Sequence, residues 1–146
     1  MLRKASVKDL EAIYRVEESC FDENERYPKE LIRYFLAIEA MLTLVEERNN
    51  AILGYITISV NRNTARIISI AVLPQFRMKG IGSRLLEEAE RIAKELKVKR
   101  FILEVGVDNK GAIKFYLSHN YKIDFVIPNY YPDQNAYRMS KSCTEI

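Results

Sequence analysis

A short basic segment with two glycines is the part of this 146-residue sequence whose residue types indicate a chemistry. The segment runs from Arg77 to Gly82 and reads Arg-Met-Lys-Gly-Ile-Gly. Because glycine lacks a Cβ atom, Gly80 and Gly82 let a ligand approach the backbone closely. Backbone amides in such a loop, together with the positive end of a following helix, bind anions and most often phosphates. The segment therefore predicts a phosphate-binding loop.

The elements on either side of this loop are those that a phosphate site needs. Residues 67–73 form an apolar run of strand length, and residues 81–97 carry apolar side chains at helical spacing. A strand that leads into the loop and a helix that leads out would place the loop amides at a helix N-terminus. The structural alternative is that the two glycines only turn the chain beside basic surface residues.

Two other kinds of glycine-rich loop do not fit the sequence. A Walker A loop requires Lys and then Ser or Thr directly after its last glycine, whereas Ser83 and Arg84 follow Gly82. A dinucleotide-binding fingerprint requires a third small residue at the position of Leu85. A third pattern has Arg or Gln at its first position, Gly at its fourth, and Gly or Ala at its sixth. The six residues that begin at Arg77 match it at each of these positions.

Hydrophobic periodicity and turn residues predict a single α/β domain over residues 1–146. Its element order, β-α-α-β-β-β-α-β-α-β-β, predicts a mixed, mostly antiparallel sheet of about seven strands flanked by four helices. The predicted helices cover residues 7–21, 28–40, 81–97 and 110–119, and the predicted strands cover residues 2–5, 41–47, 52–62, 65–73, 100–107, 121–126 and 136–140. A loop at residues 128–133 is predicted between the last two strands.

Composition argues against several classes of protein. A formal net charge of +3 is too small for a nucleic-acid-binding domain. No apolar run reaches the length of a membrane span, and residues 1–6 lack an apolar signal core, so we expect a cytoplasmic protein with no membrane partner. Cys20 and Cys143 lie far apart and form no motif, which predicts reduced thiols. His119 is the only histidine, so no metal site is expected.

Further segments give the loop a family context. Residues 69–74 end in Val-Leu-Pro just before the loop, and residues 108–116 read Asp-Asn-Lys-Gly-Ala-Ile-Lys-Phe-Tyr. With the loop and the element order, they resemble the GCN5-related N-acetyltransferase (GNAT) superfamily over nearly the whole chain. Residues 103–105 and 129–132 are most similar to protein N-terminal acetyltransferases, including the ribosomal-protein-alanine type. One departure is Asn120, where the family often has Gly, but Asn tolerates the left-handed conformation.

The resemblance implies that the loop binds the diphosphate of acetyl-CoA. Ile70, Ala71 and Val72 would contact the pantetheine arm through backbone groups, as an added strand does. Asn109 would contact the same arm and also cap a helix. The full set of implied cofactor contacts is Ile70, Ala71, Val72, Arg77, Met78, Lys79, Gly80, Ile81, Gly82, Ser83, Asn109 and Tyr116.

Two residues are predicted to be catalytic. Glu104 interrupts an apolar strand and shares a face with Ile102, so partial desolvation is expected to raise its pKa. It also matches the family position implicated as the general base; the alternative is a strand Glu that faces solvent or pairs with a Lys. Tyr116 is the predicted general acid, which hydrogen-bonds the departing thiolate. Its alternative is a core aromatic, because it shares a helical stripe with Ile113 and Leu117.

The acceptor is expected to lie between two groups of residues. Tyr130 and Tyr131 are on the predicted loop that covers the substrate peptide in the similar N-terminal enzymes. Phe21, Glu25 and Tyr27, on the break between the first two helices, are assigned to the opposite wall by family position. Surface packing or loop rigidity is the alternative role of the two loop tyrosines.

These features predict an N-acetyltransferase that moves an acetyl group from acetyl-CoA to a protein N-terminal α-amine by direct attack, with coenzyme A as product. The expected partner is a protein or peptide N-terminus, with no nucleic acid or membrane, and the chain is expected to be a monomer or homodimer. Two alternatives stay open. The acceptor is a lysine, a polyamine or another small amine, or the chain is a non-catalytic acyl-CoA-binding module that regulates or binds a partner.

Overall fold

Seven strands form one sheet in the computed structural model, which describes residues 1–145. Their spatial order is β1-β2-β3-β4-β5-β7-β6. The strands are β1 (Leu2–Lys4), β2 (Met41–Arg48), β3 (Ala51–Asn61), β4 (Thr64–Val72), β5 (Arg100–Gly106), β6 (Lys122–Tyr131) and β7 (Gln134–Ser142). The α-helices are α1 (Leu10–Cys20), α2 (Lys29–Ala37), α3 (Ile81–Glu95) and α4 (Lys110–Ser118). The predicted class of fold, a mixed sheet of seven strands with four helices, is confirmed.

Strands β4 and β5 are parallel, whereas the other neighbouring pairs are antiparallel. The parallel pairing extends only from Thr64 opposite Arg100 to Arg66 opposite Ile102. Beyond these residues the two strands separate, so the second half of β4 has no strand partner on its β5 side. This separation opens the sheet where the chain enters the glycine loop.

Each face of the sheet buries an apolar layer. On one face, helix α3 inserts Leu85 and Leu86 among strand residues such as Phe101 and Met139. On the other face, α1 and α2 pack against β2, β3 and β4 in a smaller core that includes Ile13. Residues of β5 alternate between the faces, so Glu104 lies on the face of α1 and α2. None of the helices within residues 1–145 is long and apolar enough to cross a membrane.

The predicted bounds of helix α2 are wrong at both ends. Helix α2 ends at Ala37 rather than near residue 40, because Ile38 is already extended. Pro28 caps this helix instead of lying in its first turn. Asn120 has the predicted left-handed conformation, with a φ of 71°.

The predicted loop of residues 128–133 is mostly strand. Strand β6 continues to Tyr131, and only residues 132–133 form the turn to β7. Tyrosines favour a pleated, half-buried surface, and Pro128 is tolerated because β6 is the edge strand of the sheet. Asn129 has a φ of 55° and lies where the register of β6 with β7 shifts, between Ile127 and Tyr131. The end of β6 is therefore an irregular strand.

Candidate active site

The separated strands β4 and β5 form the two sides of a cleft of about 800 Å³. The glycine loop and α4 lie at one end, and the break between α1 and α2 and the end of β6 lie at the other. Every residue predicted for the site lines this cleft except Lys79, whose side chain is exposed. The cofactor residues, the two catalytic candidates and the acceptor candidates are therefore brought together.

The glycine loop presents backbone amides to the cleft. Helix α3 begins at Ile81, so the amides of its first turn, through Ser83, have no carbonyl partner within the helix. Gly80 precedes them with a φ of +81°, a conformation that side-chain-bearing residues rarely adopt. A Cβ atom on Gly82 would lie 3.5 Å from the ring of Phe115. These features fit an anionic group held by the helix terminus.

The charged side chains of the loop contribute less than expected to this end of the cleft. Arg77 donates through Nε to the carbonyl of Val72 at 2.9 Å and through Nη2 to Sγ of Cys20 at 3.3 Å. Its guanidinium group therefore ties the loop to β4 and α1. The Cys20 thiol also donates to the Val72 carbonyl, at 3.3 Å, so that oxygen already has two donors. Burial raises the pKa of the Cys20 thiol, which stays protonated.

The free edge of β4 and the start of α4 provide further polar groups. Ile70 and Ala71 lie on β4 beyond its pairing with β5, so backbone groups on that side are available to a ligand. Asn109 caps α4 as predicted, because its Oδ1 accepts from the amide of Ala112 at 3.2 Å. An extended chain with its own amides could pair with this edge as an additional strand.

Tyr116 is a buried residue of α4 whose ring packs edge-on against those of Phe115 and Tyr121. The ring belongs to the core, as the alternative role predicted, and the side chain also lines the cleft, so the role as general acid stays a prediction. Burial, with a smaller effect from Tyr131, raises the pKa of Tyr116 well above its ordinary value. The phenol thus keeps its proton.

Glu104 is held by two arginines that the sequence analysis did not identify. Arg66 on β4 binds one carboxylate oxygen through Nη1, and Arg138 on β7 donates through Nε to the other at 2.6 Å. The Glu104 side chain is only 6% exposed, so the expected desolvation is present. The two guanidinium groups occupy both of its oxygens. The contact with Arg138 follows from the strand register, which places Arg138 directly opposite Glu104. Sequence patterns did not reveal this pair, because β7 is far from β5 along the chain.

Glu17 is a second buried carboxylate in the cleft that the sequence analysis missed. Its oxygens accept from the hydroxyl of Tyr55, from the hydroxyl of Ser69 at 3.2 Å, and from the amide of Tyr27 at 2.8 Å. Burial raises the pKa of Glu17, although these hydrogen bonds oppose the effect. The sequence does contain a signal that Glu17 is buried. It lies four residues after Ile13 and so continues the buried stripe of α1.

The two predicted acceptor walls are joined across the cleft. Glu25 accepts a hydrogen bond from Nε2 of Gln134 at 2.9 Å, and Oε1 of Gln134 accepts from the amide of Asp108 at 2.8 Å. Burial raises the pKa of Glu25, and the nearby Asp22 and Asp133 raise it further. The segment between α1 and α2 is thus attached to the β6–β7 turn.

Aromatic side chains line both walls. The rings of Tyr130 and Tyr131 are edge-on, with centroids 4.9 Å apart. On the other wall, Tyr27 packs edge-on against Phe35, and burial raises the pKa of Tyr27 to about 12. Phe21 lines the same side of the cleft. The walls therefore offer apolar area with protonated hydroxyl groups beside the Glu104 carboxylate. Among residues 1–145, no group of three His, Cys, Asp or Glu side chains is arranged to hold a metal ion.

One cleft therefore combines a helix terminus that suits an anion with a buried carboxylate and a buried tyrosine, beside a split sheet. The model of the acetyltransferase (GNAT) family matches residues 10–121, and the chain belongs to that family. It is therefore an N-acetyltransferase of the GNAT type, a family that uses acetyl-CoA.

The chain is similar to several N-acetyltransferases. It is 30% identical to an N-alpha-acetyltransferase of Saccharolobus solfataricus, over 96% of this chain and 91% of the relative. The structure superposes on the ribosomal-protein-S18-alanine N-acetyltransferase of Escherichia coli with a TM-score of 0.89, at 23% identity over 98% and 93% of the two chains. It also superposes on the PaiA N-acetyltransferase of Thermoplasma acidophilum, solved with coenzyme A, with a TM-score of 0.86. The identity is 24%, and the match covers 97% of this chain and 98% of the other. These two structural likenesses concern the fold.

Proposed function

We propose that this enzyme transfers the acetyl group of acetyl-CoA to the α-amine of a protein N-terminus, with Glu104 as general base and Tyr116 as general acid. The observation that carries the proposal is the shared cleft, which joins an amide-lined helix start to a buried carboxylate between aromatic walls. The similarity to an N-alpha-acetyltransferase over most of both chains supports the choice of acceptor.

The donor end of the cleft suits acetyl-CoA. The amides at the start of α3 would hold its diphosphate, and the free edge of β4 near Ile70 would pair with its pantetheine amides. Acetyl-CoA bound there would supply an activated thioester for direct attack by the acceptor amine. Because Arg77 is occupied by Val72 and Cys20, we assign it the role of fixing the loop.

Glu104 would take up the proton that the acceptor amine must lose, directly or through a water molecule. Its two arginine partners hold both carboxylate oxygens in position beside the aromatic walls. Tyr116, which keeps its proton, would donate a hydrogen bond to the departing thiolate and thereby help the leaving group.

The charge of the acceptor end favours a peptide over a polyamine. A polycation would be expected to bind several free carboxylates, but Glu104 is paired with two arginines. Burial also raises the pKa of Glu17 and of Glu25. The tyrosine-lined walls instead provide flat, amphipathic surfaces that suit the backbone and first side chains of a peptide.

The test is a thiol-release assay with acetyl-CoA and short peptides that vary in their first two residues. N-terminally blocked peptides with one internal lysine, and spermidine, are the matched controls. We expect turnover with free N-termini and little with the controls. A preference for spermidine or for the blocked lysine peptides would contradict the assigned acceptor, and no turnover with any amine would favour the non-catalytic alternative.

A further inference from the structure

A second cavity, of about 410 Å³, lies beside the turn between β3 and β4. Two arginines, two asparagines and two hydroxyl residues line it, and Ile102 forms its apolar part. No carboxylate belongs to this lining, as far as the described residues 1–145 extend. We call this cavity the basic groove, and its polar lining residues are Ser59, Asn61, Arg62, Asn63, Thr64 and Arg66.

The basic groove is connected to the acceptor end of the cleft by one ion pair. Arg66 lines the groove, and its Nη1 binds the carboxylate of Glu104, which lines the cleft. Arg138 binds the other oxygen of Glu104, so a single carboxylate is shared by two guanidinium groups. With Arg62 nearby and exposed, positive charge exceeds negative charge where a peptide would leave Glu104.

The strand register gives the distance from the reacting amine to this charge. Arg66 is opposite Ile102, which is two residues before Glu104 on β5. At a rise of about 3.3 Å per residue, these positions on β5 are about 7 Å apart. An extended peptide with its amine at Glu104 covers the same distance in two residues. Its third side chain would therefore come beside Arg66. Arg62, on the turn four residues before Arg66, lies further along the same path, beyond the third residue.

We propose that the basic groove binds acidic side chains at the third and following positions of the acceptor, which makes acidic N-termini the preferred substrates. This proposal rests on the proposed acetylation of protein N-termini. Guanidinium groups suit carboxylates because their planar N–H donors match the two carboxylate oxygens. The side-chain amides of Asn61 and Asn63 add neutral donors along the same path.

The experiment compares kcat/KM for three peptides that share their first two residues and carry acidic, neutral or basic side chains from the third position onward. Measurements at low and at high salt separate charge effects from shape. We expect the acidic peptide to exceed the basic one about tenfold at low salt, since each exposed ion pair contributes a factor of up to about five. The difference should shrink at high salt.

Matched variants assign the effect to the groove. Arg62→Glu should abolish the preference while kcat with the neutral peptide stays unchanged within about twofold. Arg15→Glu makes the same change of total charge on an exposed position of α1 and should leave the preference intact. Arg62→Asn, which also suits the left-handed backbone at this position, guards against misfolding of the first variant.

The outcomes separate this proposal from the one on which it rests. If the neutral peptide is acetylated but the acidic peptide is no better than the basic one, the groove proposal alone is overturned. An equal loss of preference in the Arg62 and Arg15 charge reversals would also overturn it, because the effect would then come from total charge. If no free N-terminus is acetylated, the proposed function fails and the groove proposal fails with it.

Discussion

The donor end and the acceptor end of the cleft are built in different ways. At the donor end, consecutive residues of β4, the glycine loop and α3 present mainly backbone groups. At the acceptor end, charged side chains from distant strands meet, as Arg66 and Arg138 do at Glu104. A donor site made of backbone is sensitive to added side-chain volume, whereas an acceptor site made of paired charges is sensitive to lost charge. The expected effects of substitutions differ accordingly.

The largest effect is expected for Glu104→Gln at the acceptor end. This change keeps the volume and one hydrogen-bond acceptor but removes the base, so kcat should fall about 10²- to 10³-fold. The dissociation constant of acetyl-CoA, measured by calorimetry, should stay within about twofold because the donor end contributes its own contacts. Glu18→Gln, on the exposed side of α1, is the matched control. Normal turnover in Glu104→Gln would remove this residue from the mechanism.

Tyr116→Phe tests the point where the two ends meet. The ring and its edge-on packing with Tyr121 are retained, so the melting temperature should change little. Loss of one hydrogen bond to a developing thiolate should lower kcat about ten- to thirtyfold. A variant with full activity would leave Tyr116 with only its role in the core.

Gly82→Val tests the backbone character of the donor end. A Cβ atom would fit beside Phe115 at ordinary contact distance, but the additional methyl groups of Val would crowd the ring and the first amides of α3. We expect the dissociation constant of acetyl-CoA to rise about tenfold through a lost charge-assisted hydrogen bond. Gly82→Ala should have a smaller effect. If the Gly82→Val variant binds acetyl-CoA as tightly as the wild-type protein does, the start of α3 is not the diphosphate site.

The smallest effect on turnover is expected for Glu17→Gln. The Glu17 carboxylate is held by neutral groups, whereas that of Glu104 is held by two arginines. Because the folded-state pKa of Glu17 is raised above its ordinary 4.5, its neutral form contributes stability below pH 4.5. That contribution is lost as the pH rises through the folded-state pKa. The variant should lose about 1–3 kcal/mol of unfolding free energy through altered hydrogen bonds, with kcat changed less than threefold.

Thermal unfolding of both proteins at pH 5 and pH 8 checks this sign. The wild-type protein should lose more stability than Glu17→Gln between the two pH values, because glutamine does not ionise. The difference between the two melting temperatures should therefore narrow as the pH rises. Parallel changes in the two proteins would show that Glu17 does not titrate over this range.

The part of the fold that depends on local patterns was predicted well. The helix that begins at Ile81 and the cap at Asn109 follow from spacing and residue type over a few positions. The extent of β6 was missed, because the predicted loop of residues 128–133 contains Pro128 and Asn129, which usually interrupt a strand. Edge position in the sheet permits both, and edge position depends on which strands become neighbours.

The donor end of the cleft can be read from the sequence, because the glycine loop, the strand before it and the helix after it are contiguous, and short-range geometry defines their amides. Glu104 can also be recognised from the sequence, as an acidic residue in an apolar strand. The partners of that carboxylate depend instead on how the strands assemble. Arg66 and Arg138 are 38 and 34 residues away along the chain. The insertion of β7 between β5 and β6 aligns Arg138 with Glu104, and no local pattern encodes that order of strands.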